Sequence, residues 1–252
     1  MVYYIKRIKI DTNTEIANKE VEMEKTKIKD KIQTIYLKYT FCNNLNNSNE
    51  NKNSENKNST IENISKDMAL KYYSKPKNLI IERCKNGKPY FLNETGENDI
   101  FFNGTHSKDL IAVAMSDKLI GVDGEFIKKR NFFDIAKEYF SFNEYKLLKS
   151  SSKLEIDFYT LWTLKESYIK TFGKKIFDIK DSIEVNLEER AIYNVDNLFF
   201  ATFSIDNCYI ISVSCNMENA EDYNDIIIKT SGLNLDLIFA YPEFPQIELI
   251  EI

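Results

Sequence analysis

Carboxylates recur in two short segments of the chain, and the spacing of the first suits a divalent metal. Residues 121–125 read GVDGE, which sets Asp123 and Glu125 two positions apart. In a β-strand these side chains share a face and their Cα atoms lie roughly 6.7 Å apart, so both carboxylates can reach one cation. Oxygen ligands of this kind are those that Mg²⁺ prefers. An ordinary solvated strand face is the alternative interpretation.

The second segment, residues 162–170, reads WTLKESYIK and predicts a helix. Trp162, Glu166 and Lys170 follow one another at intervals of four, which places them on one helix face. The only tryptophan of the chain indicates that this face is partly buried, and a buried carboxylate requires a counter-ion or a metal. Glu166 is therefore a candidate third metal ligand, and Lys170 a candidate partner for a phosphate. A surface ion pair between the two is the alternative.

Two further residues could contact the same anion. His106 lies in the segment NGTHS directly after a predicted strand, where its ring can donate to a phosphate oxygen, although a lone histidine is more often structural. Lys88 lies in the predicted turn NGKP at residues 86–89, where glycine and proline favour chain reversal. Each residue alone is weak support for an anion site.

The composition sets limits on function. With 252 residues and 43% hydrophobic side chains the chain can bury a core, and its net charge of −5 argues against a general nucleic-acid binder. No apolar run approaches the length of a membrane span and the N-terminal stretch carries Lys and Arg throughout, so we expect neither a span nor a signal peptide. The four cysteines lack metal-ligand spacing, which favours free thiols and a cytoplasmic protein.

The first half of the chain is predicted to mix strands and helices. Its asparagine-rich stretch, about residues 43–63, lacks periodicity and is expected to be a disordered insertion. Residues 15–40 predict a helix, with Ile32, Ile35 and Tyr39 among the residues at helical spacing. The other predictions are strands at 2–10, 78–83, 100–103 and 110–115, a short helix from Ser65, and a strand at 118–125 that forms a hairpin with 110–115.

The second half is predicted to contain a long helix that is capped by Ser151 or Ser152 and ends near Phe172, before Gly173. Its other predicted elements are helices at 132–140 and 143–149, strands at 182–187, 198–205 and 208–215, and an apolar tail segment at 233–241. The expected divisions are an N-terminal half (1–116), a C-terminal half with the metal site (117–216), and a C-terminal tail (217–252).

Taken in order, these segments resemble the Sfp-type (surfactin-synthetase type) 4'-phosphopantetheinyl transferases, most clearly over residues 85–176. The double signature of that family is a G-[IV]-D-x-E strand followed by a W-x-x-K-E-[AS]-x-x-K helix, and residues 121–125 and 162–170 match it. The resemblance implies an α+β fold, a pseudo-dimer of two similar α+β halves with the active site in the cleft between them.

The resemblance also implies a magnesium site, with Mn²⁺ as a possible substitute. Asp123, Glu125 and Glu166 match the metal-binding acids of the family, and Glu144 matches a further acidic residue of the site. Glu166 is the first candidate for the general base, and its rivals are Glu144 and a water on the metal. Lys170 is expected to stabilise the charge that develops in the reaction.

Coenzyme A is the implied co-substrate. The residues that match coenzyme A contacts of the family are Lys88, His106, Lys165 and Lys170, the histidine near the 3'-phosphate.

Three positions depart from the family pattern. Gly104 and Gly124 stand where other residues are usual, which is expected to loosen both strands slightly. The arginine of an N-terminal helix that grips the 3'-phosphate has no counterpart in residues 31–41, the best candidate segment. Lys31 or Lys38 could substitute, but lysine lacks the forked geometry of arginine.

The implied reaction moves the 4'-phosphopantetheine arm from coenzyme A to a serine of an apo acyl or peptidyl carrier protein and releases 3',5'-ADP. Such carriers are usually acidic, so basic or apolar surface is expected near the cleft of a monomeric enzyme. One alternative is a catalytically silent coenzyme A-binding, nucleotide-binding or scaffold homologue. Another is a magnesium-dependent nucleotide hydrolase, against which the absence of a P-loop argues.

Overall fold

The computed structural model describes residues 32–42, 50–76, 78–92, 99–175, 179–217, 225–230, 235–242 and 246–251. Within them the strands are β1 (Ile32–Phe41), β2 (Ile80–Arg83), β3 (Pro89–Leu92), β4 (Phe101–Ser107), β5 (Leu110–Ser116), β6 (Ile120–Phe126), β7 (Glu184–Asn186), β8 (Ala191–Tyr193), β9 (Leu198–Ile205), β10 (Tyr209–Asn216), β11 (Asp225–Thr230), β12 (Leu235–Tyr241) and β13 (Gln246–Glu251). The helices are α1 (Glu50–Tyr73), α2 (Phe132–Tyr139), α3 (Phe142–Ser150), α4 (Leu154–Phe172) and α5 (Ile179–Ser182). No helix in this part of the chain combines the length and apolar character that a membrane crossing needs.

The strands form two main sheets. The first has the order β13-β11-β1-β5-β4, in which β11 is parallel to both of its neighbours and the other pairs are antiparallel. The second is antiparallel and has the order β12-β9-β10-β6. Two small hairpins, β2–β3 and β7–β8, accompany them. The α+β class predicted from the sequence is confirmed.

Three hydrophobic clusters hold these layers together. One lies between the two sheets, one joins α1 to the first sheet, and one joins α2, α3 and α4 to the second sheet. β5 shows the pattern, because Leu110, Ala112 and Ala114 belong to the cluster between the sheets. Its alternate residues belong to the α1 cluster: Ile111, Val113 and Met115. A strand that is covered on both faces is apolar along its length.

β1 lies where the sequence predicted the end of a helix. Ile35 and Leu37 contribute to the cluster between the sheets, whereas Tyr36 faces α1 and stacks on Tyr72 with ring centroids 4.3 Å apart. Side chains that alternate in this way belong to a strand, and the ladders to β5 and β11 satisfy its backbone. The helix prediction is wrong for this segment. The predictions that lie outside the described residues are those for 2–10 and 15–31.

α1 begins inside the segment that was predicted to be disordered. The asparagine-rich composition indicated disorder as far as residue 63 and a helix from Ser65, whereas the helix runs from Glu50. The disorder prediction is therefore wrong from Glu50 onward, and residues 43–49 lie outside the described part of the chain.

Close packing on β4 explains why this polar sequence is helical. Ile61, Ile64 and Met68 lie at helical spacing and join the cluster under α1. A Cβ on Gly104 of β4 would lie 2.4 Å from Ile61 Cγ2, so only glycine lets the helix approach this far. Gly104, which was expected to loosen β4, instead brings α1 against the strand that carries His106.

β6 is not the hairpin partner of β5, contrary to the prediction. β5 pairs with β1 and β4, and β6 pairs with β10 in the other sheet. The link that was taken for a turn is a crossover between the sheets. Gln33 Nε2 holds it by donating to Ser116 Oγ at 2.9 Å and to Asp117 Oδ1 at 2.7 Å.

Residues 217–252 were predicted to form a separate tail, but their described strands belong to the two main sheets. β11 and β13 extend the first sheet, and β12 extends the second. The apolar segment at 233–241 is β12, in which Leu235, Phe239 and Ala240 are buried. This part of the chain therefore belongs to both halves.

The helices of the second half agree with the prediction except at one cap. α4 ends at Phe172, before Gly173, as predicted. Its N-cap is Lys153 rather than a serine, and Ser151 Oγ instead donates to Asp157 Oδ2 at 2.7 Å. The other confirmed elements are α2, α3, β7, β9 and β10.

α4 lies directly on β6 at Gly121. A Cβ there would lie 2.1 Å from the backbone oxygen of Ser167 and 2.6 Å from the backbone nitrogen of Thr171. Backbone atoms cannot yield as a flexible side chain can. Gly121 therefore sets how closely α4 approaches β6, and with it the position of Glu166 and Lys170.

Gly121→Ala is expected to lower the free energy of unfolding by about 2–3 kcal/mol, because α4 must move away from β6. Gly124→Ala on the same strand is the control, since the nearest atom is Leu110 Cδ2 at 3.1 Å. That side chain can shift, so the control is expected to change stability by less than about 1 kcal/mol. Urea denaturation measures both variants. Equal stability of Gly121→Ala and the parent would contradict the packing argument.

Candidate functional site

The candidate site lies where the edges of the two sheets meet. β6 forms its backbone ladder with β10 alone, and its other edge faces β4. Three side chains of β4 accept hydrogen bonds from backbone amides of β6: Asn103 Oδ1 from Val122 N at 3.1 Å, Thr105 Oγ1 from Gly124 N at 3.4 Å, and Ser107 Oγ from Phe126 N at 3.0 Å. These bonds join the two halves and hold the acidic strand against the first sheet.

Asp123 is buried in this seam, with 5% of its surface exposed. Its Oδ1 accepts hydrogen bonds from Lys170 Nζ at 2.5 Å and from Thr105 Oγ1 at 3.2 Å. Its Oδ2 is buried without a hydrogen-bond partner among the described residues. An unsatisfied buried carboxylate oxygen is unfavourable, and a cation is the ligand that best satisfies it.

Glu125 lies beside Asp123 at the end of β6. Its Oε2 accepts a hydrogen bond from Ser107 Oγ at 2.9 Å and lies 3.6 Å from Arg130 Nη2. Burial, followed by the charge of Asp123, raises the pKa of Glu125 above its usual value. Hydrogen bonding therefore holds the Glu125 carboxylate close to the negative charge of Asp123.

Glu166 approaches the same acids from α4. Burial, and after it the charge of Asp123, raises the pKa of Glu166 to about 7, while Lys170 partly offsets the shift. Glu125 also contributes to the increase. Asp123 and Glu125, which were predicted from the sequence to share a site with Glu166, therefore lie close enough to affect its ionisation.

Lys170 is the cation within this acidic cluster. Burial is the largest single influence and opposes its charge, but the attraction of Asp123, the hydrogen bond to it and the charges of Glu166 and Glu125 together outweigh burial, so the pKa of Lys170 is raised above its usual value. The ammonium group thus stays charged at neutral pH. It also lies 3.5 Å from Thr105 Oγ1 and so contacts both halves of the protein.

The donor set suits a hard cation, although a three-ligand metal site is not assembled. In the described part of the chain, no group of three or more His, Cys, Asp and Glu side chains is arranged to hold a metal ion. Lys170 instead supplies the positive charge at Asp123 Oδ1. The unpartnered Asp123 Oδ2 and the raised pKa values of Glu125 and Glu166 nevertheless fit a divalent cation by chemistry.

Lys165 and Glu144 do not face the cleft, contrary to the roles predicted for them. Both side chains are completely buried, with Lys165 Nζ 3.1 Å from Glu144 Oε1. Lys165 also donates to the backbone oxygens of Ile179 and Ile183 at 3.2 and 2.5 Å. Glu144 is fixed in the capping box of α3 and also accepts from the backbone of Val185. The pair therefore anchors α5 and β7 beneath α4.

Lys88 likewise contacts the protein backbone, whereas the sequence predicted that it contacts a cofactor. Its Nζ donates to the backbone oxygens of Ile120, Lys170 and Thr171. Burial lowers the pKa of Lys88 to about 8. The side chain therefore satisfies carbonyl groups at the C-terminal end of α4 and fixes the β2–β3 hairpin to that helix.

His106 is exposed at the end of β4 and has a neighbour that the sequence analysis missed. Partial desolvation, followed by the charges of Lys57 and Lys170, lowers the pKa of His106. Lys57 belongs to α1, and its Nζ donates to the backbone oxygen of Lys108 at 2.5 Å. His106 thus lies within reach of two cations from opposite halves.

The missed residues left patterns in the sequence. Lys57 lies four residues before Ile61, at the spacing of one helix face, but the asparagine-rich composition masked the helix. Thr105 and Ser107 alternate along β4, which is the pattern of a single strand face. No sequence pattern pointed to Arg130 as a site residue, because only the fold brings its guanidinium group close to Glu125.

Comparison with known proteins identifies the family. A sequence model described as the 4'-phosphopantetheinyl transferase superfamily matches residues 119–218. The chain is 34% identical over 121 residues to the 4'-phosphopantetheinyl transferase gsp of Aneurinibacillus migulanus, an alignment that covers 46% of this chain and 48% of that relative. It is 32% identical over 123 residues to the 4'-phosphopantetheinyl transferase Sfp of Bacillus subtilis (strain 168), covering 46% and 54%.

The longest of these alignments is with the 4'-phosphopantetheinyl transferase psf-1 of Bacillus pumilus, which is 30% identical over 164 residues, or 62% of this chain and 69% of that relative. Otherwise the chain spans about half the length of the curated relatives that it matches. The family-model match contains β6 and α4, which carry Asp123, Glu125, Glu166 and Lys170. Given this match and the coverage of psf-1, the chain belongs to the 4'-phosphopantetheinyl transferase superfamily.

Proposed function

We propose that the protein transfers the 4'-phosphopantetheine arm of coenzyme A to a serine hydroxyl of an apo acyl or peptidyl carrier protein and releases 3',5'-ADP. The observation that carries this proposal is the buried acidic cluster around Lys170, in which Asp123 Oδ2 has no partner among the described residues. Fixed positive charge beside carboxylates that can bind a divalent cation is what displacement at a pyrophosphate requires.

The proposed metal is Mg²⁺, for which Mn²⁺ could substitute. Asp123, Glu125 and Glu166 are the residues that would hold it. When bound, such an ion neutralises negative charge that develops on pyrophosphate oxygens.

The reaction forms a bond from the serine oxygen to the phosphorus that carries the pantetheine arm. The bond from that phosphorus to the bridging pyrophosphate oxygen breaks, and 3',5'-ADP leaves with the electron pair. Lys170 stabilises the charge that grows on these oxygens, because its pKa is raised and the ammonium group stays charged.

Glu166 is the proposed acceptor of the serine proton. In the metal-free protein the pKa of Glu166 is about 7, so its carboxylate can accept a proton near neutral pH. Glu144, the rival base considered from the sequence, is completely buried in its pair with Lys165 and does not line the site.

Lys57 and His106 are proposed to bind the 3'-phosphate of coenzyme A. Lys57 would supply the positive charge that an N-terminal arginine supplies in the family and that residues 31–41 lack. It is better placed than Lys38, which lies on β1, because only Lys57 contributes to the electrostatics of His106. Lys31 lies outside the described residues.

We further propose that the protein works as a monomer in the cytoplasm, where coenzyme A and carrier proteins meet. All four cysteines belong to the described part of the chain and are free thiols. This state is the one that a reducing compartment maintains.

Asp123→Asn is expected to lower the transfer rate by about 10²–10³-fold, because it removes charge from the centre of the cluster while keeping the shape of the side chain. Mass spectrometry of an apo carrier protein incubated with coenzyme A and Mg²⁺ measures the transfer. Asp67→Asn, at an exposed position on α1, is the control and is expected to keep full activity. Normal turnover by Asp123→Asn would overturn the assignment, and no transfer by the parent would favour a silent homologue.

Lys57→Gln is expected to weaken coenzyme A binding about tenfold, the value of one charge-assisted contact. The affinity for 3'-dephospho-coenzyme A is expected to stay unchanged, because the proposed partner of Lys57 is then absent. Calorimetry measures both affinities. Lys66→Gln on the same helix serves as the control. An equal loss of affinity for the two ligands would contradict a role at the 3'-phosphate.

In the absence of metal, Glu166→Gln is expected to be more stable than the parent at high pH. The folded protein binds the Glu166 proton more tightly than the unfolded chain does, so the stability of the parent falls as pH rises from 4.5 to about 7 and then levels off. The difference is expected to reach about 3 kcal/mol at most. Denaturation at pH 5 and pH 8 measures it, with Glu155→Gln as the control. A pH-independent difference would show that the pKa of Glu166 is not raised in the folded protein.

A further inference from the structure

Two side-chain cations lie against the two acids of β6. Lys170 Nζ donates to Asp123 Oδ1 at 2.5 Å, whereas Arg130 Nη2 lies 3.6 Å from Glu125 Oε2. The first distance is that of a short charge-assisted hydrogen bond, and the second is too long for a hydrogen bond. Asp123 is therefore neutralised by direct contact, and Glu125 only by a charge at a distance.

The two carboxylate oxygens of Asp123 have different surroundings. Oδ1 accepts hydrogen bonds from Lys170 and from Thr105 Oγ1, whereas Oδ2 is buried and has no hydrogen-bond partner among the described residues. A cation that binds at Oδ2 would share one small carboxylate with the ammonium group on Oδ1. Two positive charges this close repel each other, and more strongly in a buried site than in water. Lys170 and a divalent cation therefore compete for Asp123.

The surroundings of Lys170 allow its ammonium group to move. The side chain is 29% exposed, whereas that of Asp123 is buried. Lysine also carries its charge at the end of a flexible four-carbon stem. Thr105 can stay with Asp123 when the lysine leaves, because its hydroxyl also accepts from the backbone amide of Gly124 at 3.4 Å. The contact between Lys170 and Asp123 can therefore break while the seam between the sheets stays intact.

The neighbouring cations do not have the same combination of contacts. Lys165 is completely buried and donates to two backbone oxygens beneath α4. The ammonium group of Lys88 donates to three backbone oxygens, two of them at the C-terminal end of α4. The guanidinium carbon of Arg130 lies 5.8 Å from the centre of the Tyr159 ring. Of these four cations, Lys170 alone is partly exposed and hydrogen-bonded to an acid of the cluster.

We propose that Lys170 is an internal substitute for the metal, which neutralises Asp123 in the metal-free protein and leaves it when a divalent cation binds. The displaced ammonium group is then available to the pyrophosphate oxygens of coenzyme A. This inference rests on the proposed function and adds a coupling between its two ligands, because the cation releases Lys170 for the coenzyme. It also accounts for the lack of an assembled three-ligand metal site among the described residues while Lys170 contacts Asp123.

The test is calorimetry of Mn²⁺ binding to the whole chain without coenzyme A. Lys170→Gln is expected to bind Mn²⁺ about tenfold more tightly than the parent, because no ammonium group has to leave Asp123. The same variant is expected to bind coenzyme A more weakly in the presence of the metal, so the two affinities change in opposite directions. An Mn²⁺ affinity equal to that of the parent, or lower, would overturn the proposal.

Two variants control for the general effect of removing a positive charge. Arg130→Gln removes a charge beside Glu125 without breaking a hydrogen bond to the cluster, and is expected to tighten Mn²⁺ binding by less than about threefold. Lys153→Gln removes a lysine that lies 3.4 Å from Asp157 at the start of the same helix, and is expected to leave Mn²⁺ affinity unchanged. Equal gains in Lys170→Gln and Arg130→Gln would reject the displacement of Lys170 in favour of a simple charge effect.

A measurement on the parent protein is independent of any effect of substitution on folding. Acetic anhydride labelling of Lys170, followed by mass spectrometry, is expected to rise about threefold or more when Mg²⁺ is added, because an ammonium group paired with a carboxylate reacts slowly. Lys165, which is completely buried, is the internal control and is expected to stay unlabelled. Unchanged labelling of Lys170 would reject the proposal.

Neither measurement requires transfer, so failure of this inference and failure of the proposed function are distinguishable. A parent that transfers nothing but shows tighter Mn²⁺ binding in Lys170→Gln and metal-dependent labelling would reject the transfer reaction and support the role of Lys170. Active transfer without these two effects would do the reverse. No binding of Mn²⁺ by either the parent or Lys170→Gln would reject the inference.

Discussion

Hydrogen bonds from backbone amides of β6 to side chains of β4 hold the two sheets together at the candidate site. A strand at the edge of a sheet has unpaired backbone amides, and burial makes their satisfaction obligatory. Here short polar side chains, among them Thr105 and Ser107, accept those hydrogen bonds. The same side chains contact Asp123 and Glu125. One set of contacts therefore joins the halves and orients the acids between them.

Electrostatics explains why this seam is suited to chemistry rather than to stability alone. Three acids lie close together, and burial, followed by the negative charge of Asp123, raises the pKa values of Glu125 and Glu166. Lys170 offsets part of the negative charge through one oxygen of Asp123, and no described residue is a partner of the other oxygen. A site of this kind gains free energy when it binds a cation, which makes the strain useful to a metal-dependent reaction.

Buried lysines show how a motif can mislead. Lys165 and Lys170 stand in one signature on one helix, yet Lys165 is completely buried against Glu144 and Lys170 is partly exposed at the seam. They lie five positions apart, which turns their side chains to different faces of the helix. Lys88 also lies at a matched position without facing a substrate, since its ammonium group donates to backbone oxygens at the end of α4. Charge at a matched position therefore does not establish contact with a substrate.

Residue spacing alone was enough to predict the acidic strand, the helix that carries Glu166 and Lys170, most strands of the second half, and the α+β class. Those features depend on local spacing, which the side chains of a strand or helix express directly. Four features could not be predicted in this way: β1 is a strand, α1 begins at Glu50, β6 pairs in the other sheet and not with β5, and Lys57 lies near His106. These outcomes depend on contacts between distant segments, in which packing and backbone hydrogen bonds outweigh local composition.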